Sequence, residues 1–324
     1  MIPNQWYIIL ESNELKPNRV VGLRRMGEQM VLWRDIKGKV ACLADACPHR
    51  GAALSIGKVK DSQIQCPFHG FQFDTNGRCQ LVPANGKSAP VPKILRAKSF
   101  ITAEAFGYIW LWWGEPREEL PSLPFFDDLD NSFIYCSDQA YWPVHYSRAI
   151  ENQLDPHHLP FVHATTIGRG NRTILDGPVT KPYENGFDIW ASTRVEDGIP
   201  ARRPGEMQVP DRHPSLRFRF PNLWLNWISD DFRIFVSFTP IDDEHMLFYL
   251  RYYQRFVRVP LLSKLVAWAS AISSRVILSQ DRRVVITQMP KRSELKMNEK
   301  LIPADQPIIL YRSMRQKMID GYIS

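Results

Sequence analysis

The sequence lacks several things that would each have pointed somewhere specific. It has no G-x-G-x-x-G turn, so no dinucleotide fingerprint is present and any NAD(P)H is expected to bind another protein. No internal repeat and no low-complexity tract interrupts its 324 residues, which excludes solenoids and disordered linkers. Met1–Leu10 has no basic stretch followed by an apolar one, so a secretory signal is not expected. The most apolar run, Leu261 to Ile272, contains Lys264 and is too short to span a bilayer. A membrane role is therefore not expected, and the chain reads as cytoplasmic. No nucleic-acid motif accompanies the net charge of +7, and the basic residues are scattered. A mild excess near the end (Lys291, Arg292, Lys296, Lys300, Arg312, Arg315, Lys317) reads as solvated surface, with steering of an acidic electron donor as its use. No nucleic-acid partner is expected.

What remains is a chain rich enough in apolar residues (44%) and tryptophan (10) to bury a large core or two smaller ones. Aromatic and β-branched runs at Trp6–Leu10, Gln29–Trp33 and Tyr108–Trp113, punctuated by turns at Gly38 and Gly77, predict a small all-β domain. The polar, proline-bearing stretch from Gly114 to Pro124 marks the boundary, giving domains of residues 1–116 and 117–324. In the second domain a helix is expected over Val144–His158. Strands are expected over Phe187–Val195, Leu216–Ile228, Arg233–Pro240 and Met246–Arg258, and a long helix over Pro260–Met289 closed by Pro290. Strands followed by a long helix give an α+β class.

Two constellations carry chemistry. The first is Cys47-Pro48-His49-Arg50-Gly51, sixteen residues after His49, then Cys66-Pro67-Phe68-His69-Gly70. Thiolate and imidazole suit either zinc or an iron–sulfur cluster. Each half brings one Cys and one His, which matches a cluster with thiolates on one iron and imidazoles on the other rather than a Cys2His2 zinc site. Similar tips, each with proline after cysteine and glycine closing the loop, can aim backbone N–H groups at bridging sulfides. Cys42, Cys79 and Cys136 lack such spacing and read as ordinary residues.

The second is Glu151-Asn152-Gln153-Leu154-Asp155-Pro156-His157-His158-Leu159-Pro160-Phe161-Val162-His163. Three of the chain's eight histidines and one acid fall within nine residues. On a helix Asp155 and His158 would share a face, and Pro160 would interrupt it, letting His163 fold back onto the same metal. Two histidines and a carboxylate on one face of Fe(II) leave positions open. Asp281, on the long helix, is the candidate carboxylate, with an apolar opposite face of Leu278, Val285, Ile286 and Met289 expected. The alternative for Asp281 is a surface acid paired with Arg282 or Arg283.

These motifs, in this order, resemble the catalytic α subunits of Rieske non-haem iron oxygenases. The resemblance implies a Rieske 2Fe-2S domain followed by a helix-grip catalytic domain. It implies Cys47 and Cys66 on one iron, His49 and His69 on the other, and His158, His163 and Asp281 on a mononuclear Fe(II). Asn152 would lie near that iron. Asp155 would bridge His69 of one subunit to His158 of the next in a head-to-tail homotrimer; His157 receives no role. It further implies O2 as co-substrate, electrons from a ferredoxin or flavin-dependent reductase that uses NAD(P)H, and a small organic substrate that is hydroxylated or dealkylated. The length is similar to the compact α-only O-demethylases and monooxygenases. Rivals are a cis-dihydroxylating dioxygenase, a Rieske electron-transfer protein without oxygenase activity, and a zinc-binding structural protein. Trp190, Phe220, Asn222, Trp224, Asn226, Phe235 and Phe248 are candidate pocket residues, and an aromatic lining would favour a planar or polycyclic substrate.

Overall fold

The computed structural model describes residues 1–257 and 260–321, the side chains of 260–271 excepted. The chain divides into two compact units, Pro3–Ser122 and Leu123–Ser324. The first is all β. Its strands are β1 (Gln5–Glu11), β2 (Arg19–Arg25), β3 (Glu28–Arg34), β4 (Val40–Ala44), β5 (Lys58–Lys60), β6 (Gln63–Gln65), β7 (Gln72–Phe73), β8 (Cys79–Leu81), β9 (Ser99–Phe100), β10 (Thr102–Ala105) and β11 (Tyr108–Trp113). They form three antiparallel sheets, ordered β1-β11-β10, β2-β3-β4-β9 and β5-β6-β7-β8.

The unbroken apolar run of β3 follows from its position. Successive side chains of a strand point to opposite faces, and both faces of β3 are covered. Val31 and Trp33 enter a core with Leu43, Leu54, Ile64, Phe71, Phe73 and the two motif cysteines. Met30 and Leu32 enter a second core with Tyr7, Ile9, Cys42, Ile109 and Leu111. The first core is the floor beneath Cys47 and Cys66.

The second unit is built on β12 (Ile134–Trp142), β13 (Ile174–Tyr183), β14 (Gly186–Arg194), β15 (Leu216–Arg219), β16 (Leu223–Ser229), β17 (Phe232–Pro240) and β18 (Met246–Gln254). They make one seven-stranded antiparallel sheet in the order β12-β18-β17-β16-β15-β14-β13. With helices α1 (Tyr146–Leu154), α2 (Leu159–Val162), α3 (Pro260–Val285) and α4 (Gln306–Ile319), the class is α+β, as expected.

Several sequence expectations need correction. The strand read over Leu216–Ile228 is two strands, broken at Phe220-Pro221-Asn222, where proline has no N–H for the ladder. Asn222 pins the turn by donating to the Phe238 carbonyl at 2.8 Å. The first helix stops at Leu154, not His158, because the residue before Pro156 is driven out of helical conformation; Asp155 has φ −89° and ψ 111°. Pro160 does not interrupt a helix but sits in the first turn of α2, where a missing N–H costs nothing. The long helix ends at Val285, four residues short of Met289.

Strands β12 and β13 and helix α4 were not anticipated. On α4 the buried residues Ile308, Tyr311, Met314, Arg315 and Met318 repeat at three- and four-residue spacing. Arg312 and Arg315 are therefore not solvated surface; each is 4% exposed. No helix among the described residues is long and apolar enough to cross a membrane. The apolar run that begins at Leu261 falls on side chains outside the described set.

Candidate metal centres

The two cysteine loops are copies of one another in hydrogen bonding. Gly51 N–H donates to the Cys47 carbonyl at 2.8 Å, and Gly70 N–H to the Cys66 carbonyl at 3.1 Å. Cys47 N–H donates to the Ala52 carbonyl and Cys66 N–H to the Phe71 carbonyl, both at 2.8 Å. Both glycines have φ of 73°, which a side chain would disfavour. Histidine occupies the second position after cysteine in one loop and the third in the other, and Arg50 lies over the Phe68 ring, 5.5 Å from its centroid.

The result is polarised. Cys47 and Cys66 belong to the apolar core, while His49 and His69 are exposed with ring centroids 4.8 Å apart. Burial, countered by backbone N–H groups of His49 and Arg50 and reinforced by the adjacent Cys66 thiol, pushes the Cys47 thiol up to about 11. A metal would displace that proton. Two buried thiols, two outward imidazoles and backbone N–H groups aimed at sulfur fit a 2Fe-2S cluster. Among the described residues, the one group of three or more donors closing to within 4.8 Å lies elsewhere. These four residues are thus spread wider than a single ion held by all of them would need.

That closed group is His158, His163 and Asp281. His163 Nε2 lies 3.0 Å and His158 Nε2 3.4 Å from the same oxygen, Asp281 Oδ1. The residues come from the bend before α2, the end of α2 and the last turns of α3. The donor set of two imidazoles and a carboxylate fits a mononuclear iron with open positions.

The surroundings orient each donor. Asn152 Nδ2 donates to Asp281 Oδ1 at 3.3 Å and Gln153 Nε2 to Oδ2 at 3.2 Å. Trp224 Nε1 holds the Gln153 carbonyl at 3.1 Å. His163 Nδ1 lies 2.8 Å from Gln280 Oε1, and His158 Nδ1 lies 3.6 Å from Asp155 Oδ2. Asp155 also accepts from His157 N–H at 2.8 Å, closing the turn after α1, and its Oδ1 lies 2.7 Å from His157 Nδ1. Asp155 and His158 are thus neighbours through a turn, not through a shared helix face.

Burial would raise the Asp155 carboxyl, but His157 and His158 outweigh it and hold it well below the usual carboxylate range. Burial would lower His158, but Asp155 and Asp281 outweigh it and push it up to about 9. Asp281 is likewise lowered against its burial by His158 and His163. It is not paired with Arg282 or Arg283. It lies on the same helix face as buried Leu278 and Val285, whereas Ile286 and Met289 are exposed beyond the end of α3, so these four do not form one buried face opposite Asp281.

A cavity of about 270 Å³ opens onto these groups, lined also by Ile167, Ala191, Thr193, Ser215, Trp224 and Asn226. Of the seven candidate pocket residues, Trp224 and Asn226 line it. The other five are core: Phe220 stacks on Tyr311, Phe235 packs on Phe125, Phe248 on Trp142, and Trp190 and Asn222 are buried. Core is the commoner place for any one such residue, and strand position alone does not tell which sheet face the helices cover. The lining is correspondingly less aromatic than expected. Sequence reasoning gave no role to Gln153 or Gln280, and a neutral amide offers no spacing signal that could have found them.

Residues 5–100 match the family model of the Rieske 2Fe-2S domain, and residues 142–321 match that of the vanillate O-demethylase oxygenase C-terminal domain. Chlorophyllide a oxygenase of Chlamydomonas reinhardtii is 37% identical over 169 residues, 52% of this chain and 25% of the relative. Aminopyrrolnitrin oxygenase PrnD of Pseudomonas fluorescens is 33% identical over 177 residues, 53% of this chain and 48% of the relative. The match thus spans between a quarter and about half of these relatives' length. The solved structure of NdmA from Pseudomonas putida CBB5 superposes with a TM-score of 0.80 at 21% identity, covering 98% of this chain and 91% of NdmA, a likeness of fold.

Proposed function

The chain belongs to the Rieske non-haem iron oxygenases, as a catalytic α subunit, and from that membership we propose that it is a terminal monooxygenase that hydroxylates or O/N-dealkylates a small organic substrate. The observation that carries the proposal is the convergence of His158 Nε2, His163 Nε2 and Asp281 Oδ1 beside an open cavity. In this reading those three residues hold Fe(II), while Cys47 and Cys66 hold one iron of the cluster and His49 and His69 the other. When bound, the cluster would supply single electrons and the ferrous ion would supply open positions at which O2 could be activated.

The chain's own residues do the rest. Asn152 and Gln153 fix both oxygens of Asp281, so the carboxylate presents a defined lone pair. Asp155, ionised between two imidazoles, lies 3.6 Å from His158 Nδ1, so its charge favours a proton there and leaves Nε2 for the metal. In a head-to-tail homotrimer, Asp155 would also take up the exposed His69 of the adjoining subunit, giving electrons a short path. The donor would be a separate ferredoxin or flavin-dependent reductase using NAD(P)H. Ile167, Ala191 and Trp224 supply apolar contact for a substrate, and Thr193, Ser215 and Asn226 supply hydrogen bonds. A volume of about 270 Å³ favours a single ring over a polycycle.

The reading is tested by iron and acid-labile sulfide per chain on anaerobically purified protein, with EPR of the reduced sample, followed by O2 uptake with single-ring methoxy and N-methyl compounds. About three irons, two sulfides and a Rieske signal are expected. Zinc without sulfide would refute it. A cis-diol product would make the chain a dioxygenase, and O2 uptake with no product from any substrate would leave an electron-transfer protein.

A further inference from the structure

We propose that Gln280 is a positioning residue for the mononuclear iron: its side-chain carbonyl fixes the ring and the tautomer of His163. The inference rests on the iron-binding reading of His158, His163 and Asp281, and adds a residue to it.

The geometry is specific. Gln280 Oε1 lies 2.8 Å from His163 Nδ1 and accepts from Thr166 Oγ1 at 3.0 Å. Gln280 Nε2 turns the other way and donates to Thr165 Oγ1 at 3.4 Å. A carbonyl oxygen only accepts, so the ring proton sits on Nδ1 and the lone pair is left on Nε2, the atom that faces Asp281. The opposite amide orientation would aim an N–H at Nδ1. It would force the proton onto Nε2 and block the metal. The two histidines are therefore supported unequally. His163 has a neutral acceptor at hydrogen-bond length, and His158 has a carboxylate at 3.6 Å.

Placement reinforces the point. Gln280 and Asp281 are consecutive on α3, so one helix carries both a ligand and the support of a second ligand. His163 and Asp281 are each 1% exposed, so solvent offers the ring little alternative partner. A ligating histidine held through its other nitrogen binds more tightly than one left free, by about 10–100-fold where such partners have been removed.

The experiment is Fe(II) affinity of the mononuclear site, measured anaerobically by competition with a chelator on the cluster-loaded chain, for Gln280→Leu and Gln280→Glu. The cluster's EPR signal and far-UV circular dichroism report on folding. Gln280→Leu removes the acceptor and is expected to weaken Fe(II) binding by about 10–100-fold with the cluster intact. Gln280→Glu keeps an acceptor and is expected to bind as tightly as the wild type or more tightly. A merely structural role, holding the 163–166 turn, would move both variants alike. Binding by Gln280→Leu within about twofold of wild type, or Gln280→Glu as weak as Gln280→Leu, overturns the proposal. If Gln280→Leu does not fold, Gln280→Glu decides alone, and a roughly tenfold weakening overturns it. His163→Ala supplies the baseline for a lost ligand. Wild-type protein that binds no more Fe(II) than His163→Ala would overturn the function itself, a separate result.

Discussion

Replacing Arg312 with alanine is expected to destabilise the Leu123–Ser324 unit by about 3–5 kcal/mol, the usual cost of stranding a buried charge. The perturbation falls on Glu151 of α1 and on none of the candidate metal ligands. Glu151, 3% exposed, receives Arg312 Nε on Oε1 at 2.6 Å and Arg312 Nη2 on Oε2 at 3.0 Å. Arg148 Nη1 reaches Oε2 at 3.0 Å. Glu299 completes the group, 2.6 Å from Arg312 Nη2 and 2.9 Å from Arg148 Nη1. Two arginines and two glutamates balance. Without Arg312, two carboxylates share one guanidinium and three charge-assisted hydrogen bonds are gone. At about 2–4 °C per kcal/mol for a unit of this size, the midpoint in differential scanning calorimetry should fall by about 6–20 °C.

A second arm separates lost attraction from stranded charge. Arg312→Met combined with Glu151→Leu removes the whole pair, and Arg148 keeps Glu299 and the Pro290 carbonyl. The double variant should recover most of the loss, since apolar replacement of a buried ion pair is commonly neutral or stabilising. The single variant should also bind Fe(II) less tightly, because α1 carries Asn152 and Gln153 onto Asp281. A loss below about 1 kcal/mol in the single variant, or no recovery in the double, refutes the reasoning.

Three further outcomes follow from the site. His163→Ala should lose the mononuclear iron and keep the cluster; iron analysis showing full occupancy would exclude His163 as a ligand. Asp155→Ala, at saturating Fe(II), should retain both metals and lower turnover by on the order of 10–100-fold, measured as the rate of product formation with excess reductant; undiminished turnover removes Asp155 from the electron path. Fe(II) affinity should weaken tenfold per unit of pH below about 9 and level off above it, because His158 is raised to about 9 from its usual 6.5 and must lose that proton to bind. The sign for stability is opposite: the metal-free chain's gain from protonated His158 is full below about 6.5 and lost as pH rises through about 9. Metal titrations at pH 7 and 8 that give equal affinities would contradict this.

The first unit was legible because its signals are local. The runs at Trp6–Leu10, Gln29–Trp33 and Tyr108–Trp113 fall in strands β1, β3 and β11, since an apolar run covered on both faces still reads as a strand. The second unit was legible in class and less so in outline. Strand β12 alternates exposed and part-buried residues from Tyr135 to Tyr141, so it carries little hydrophobic contrast to announce it. Helix α4 was hidden for a related reason: its buried face includes Arg312 and Arg315, whose charges are met by Glu151 and Glu299 and by the Ser293 carbonyl, partners remote in sequence.

The same division explains the site. Local spacing pointed to the histidine cluster and the family pattern selected His158 over His157; in the structure the short helix α2, with Pro160 in its first turn, separates His158 from His163 and brings positions five apart onto one point. Asp281 was a candidate from its place on the long helix, but only the family resemblance favoured it over a surface acid, since an acid followed by two arginines reads equally well as surface. Its burial depends on α3 crossing α1, a tertiary event that leaves no periodic trace beyond Leu278 and Val285 on its own face. Gln153 and Gln280 were invisible for the opposite reason. A neutral amide has no spacing rule, and its meaning appears only when a ligand's second atom is found waiting for it at 3.2 or 2.8 Å. A metal site is therefore read from sequence at its ligands and from structure at what holds them, and the supports are where variants of this chain will separate affinity from folding.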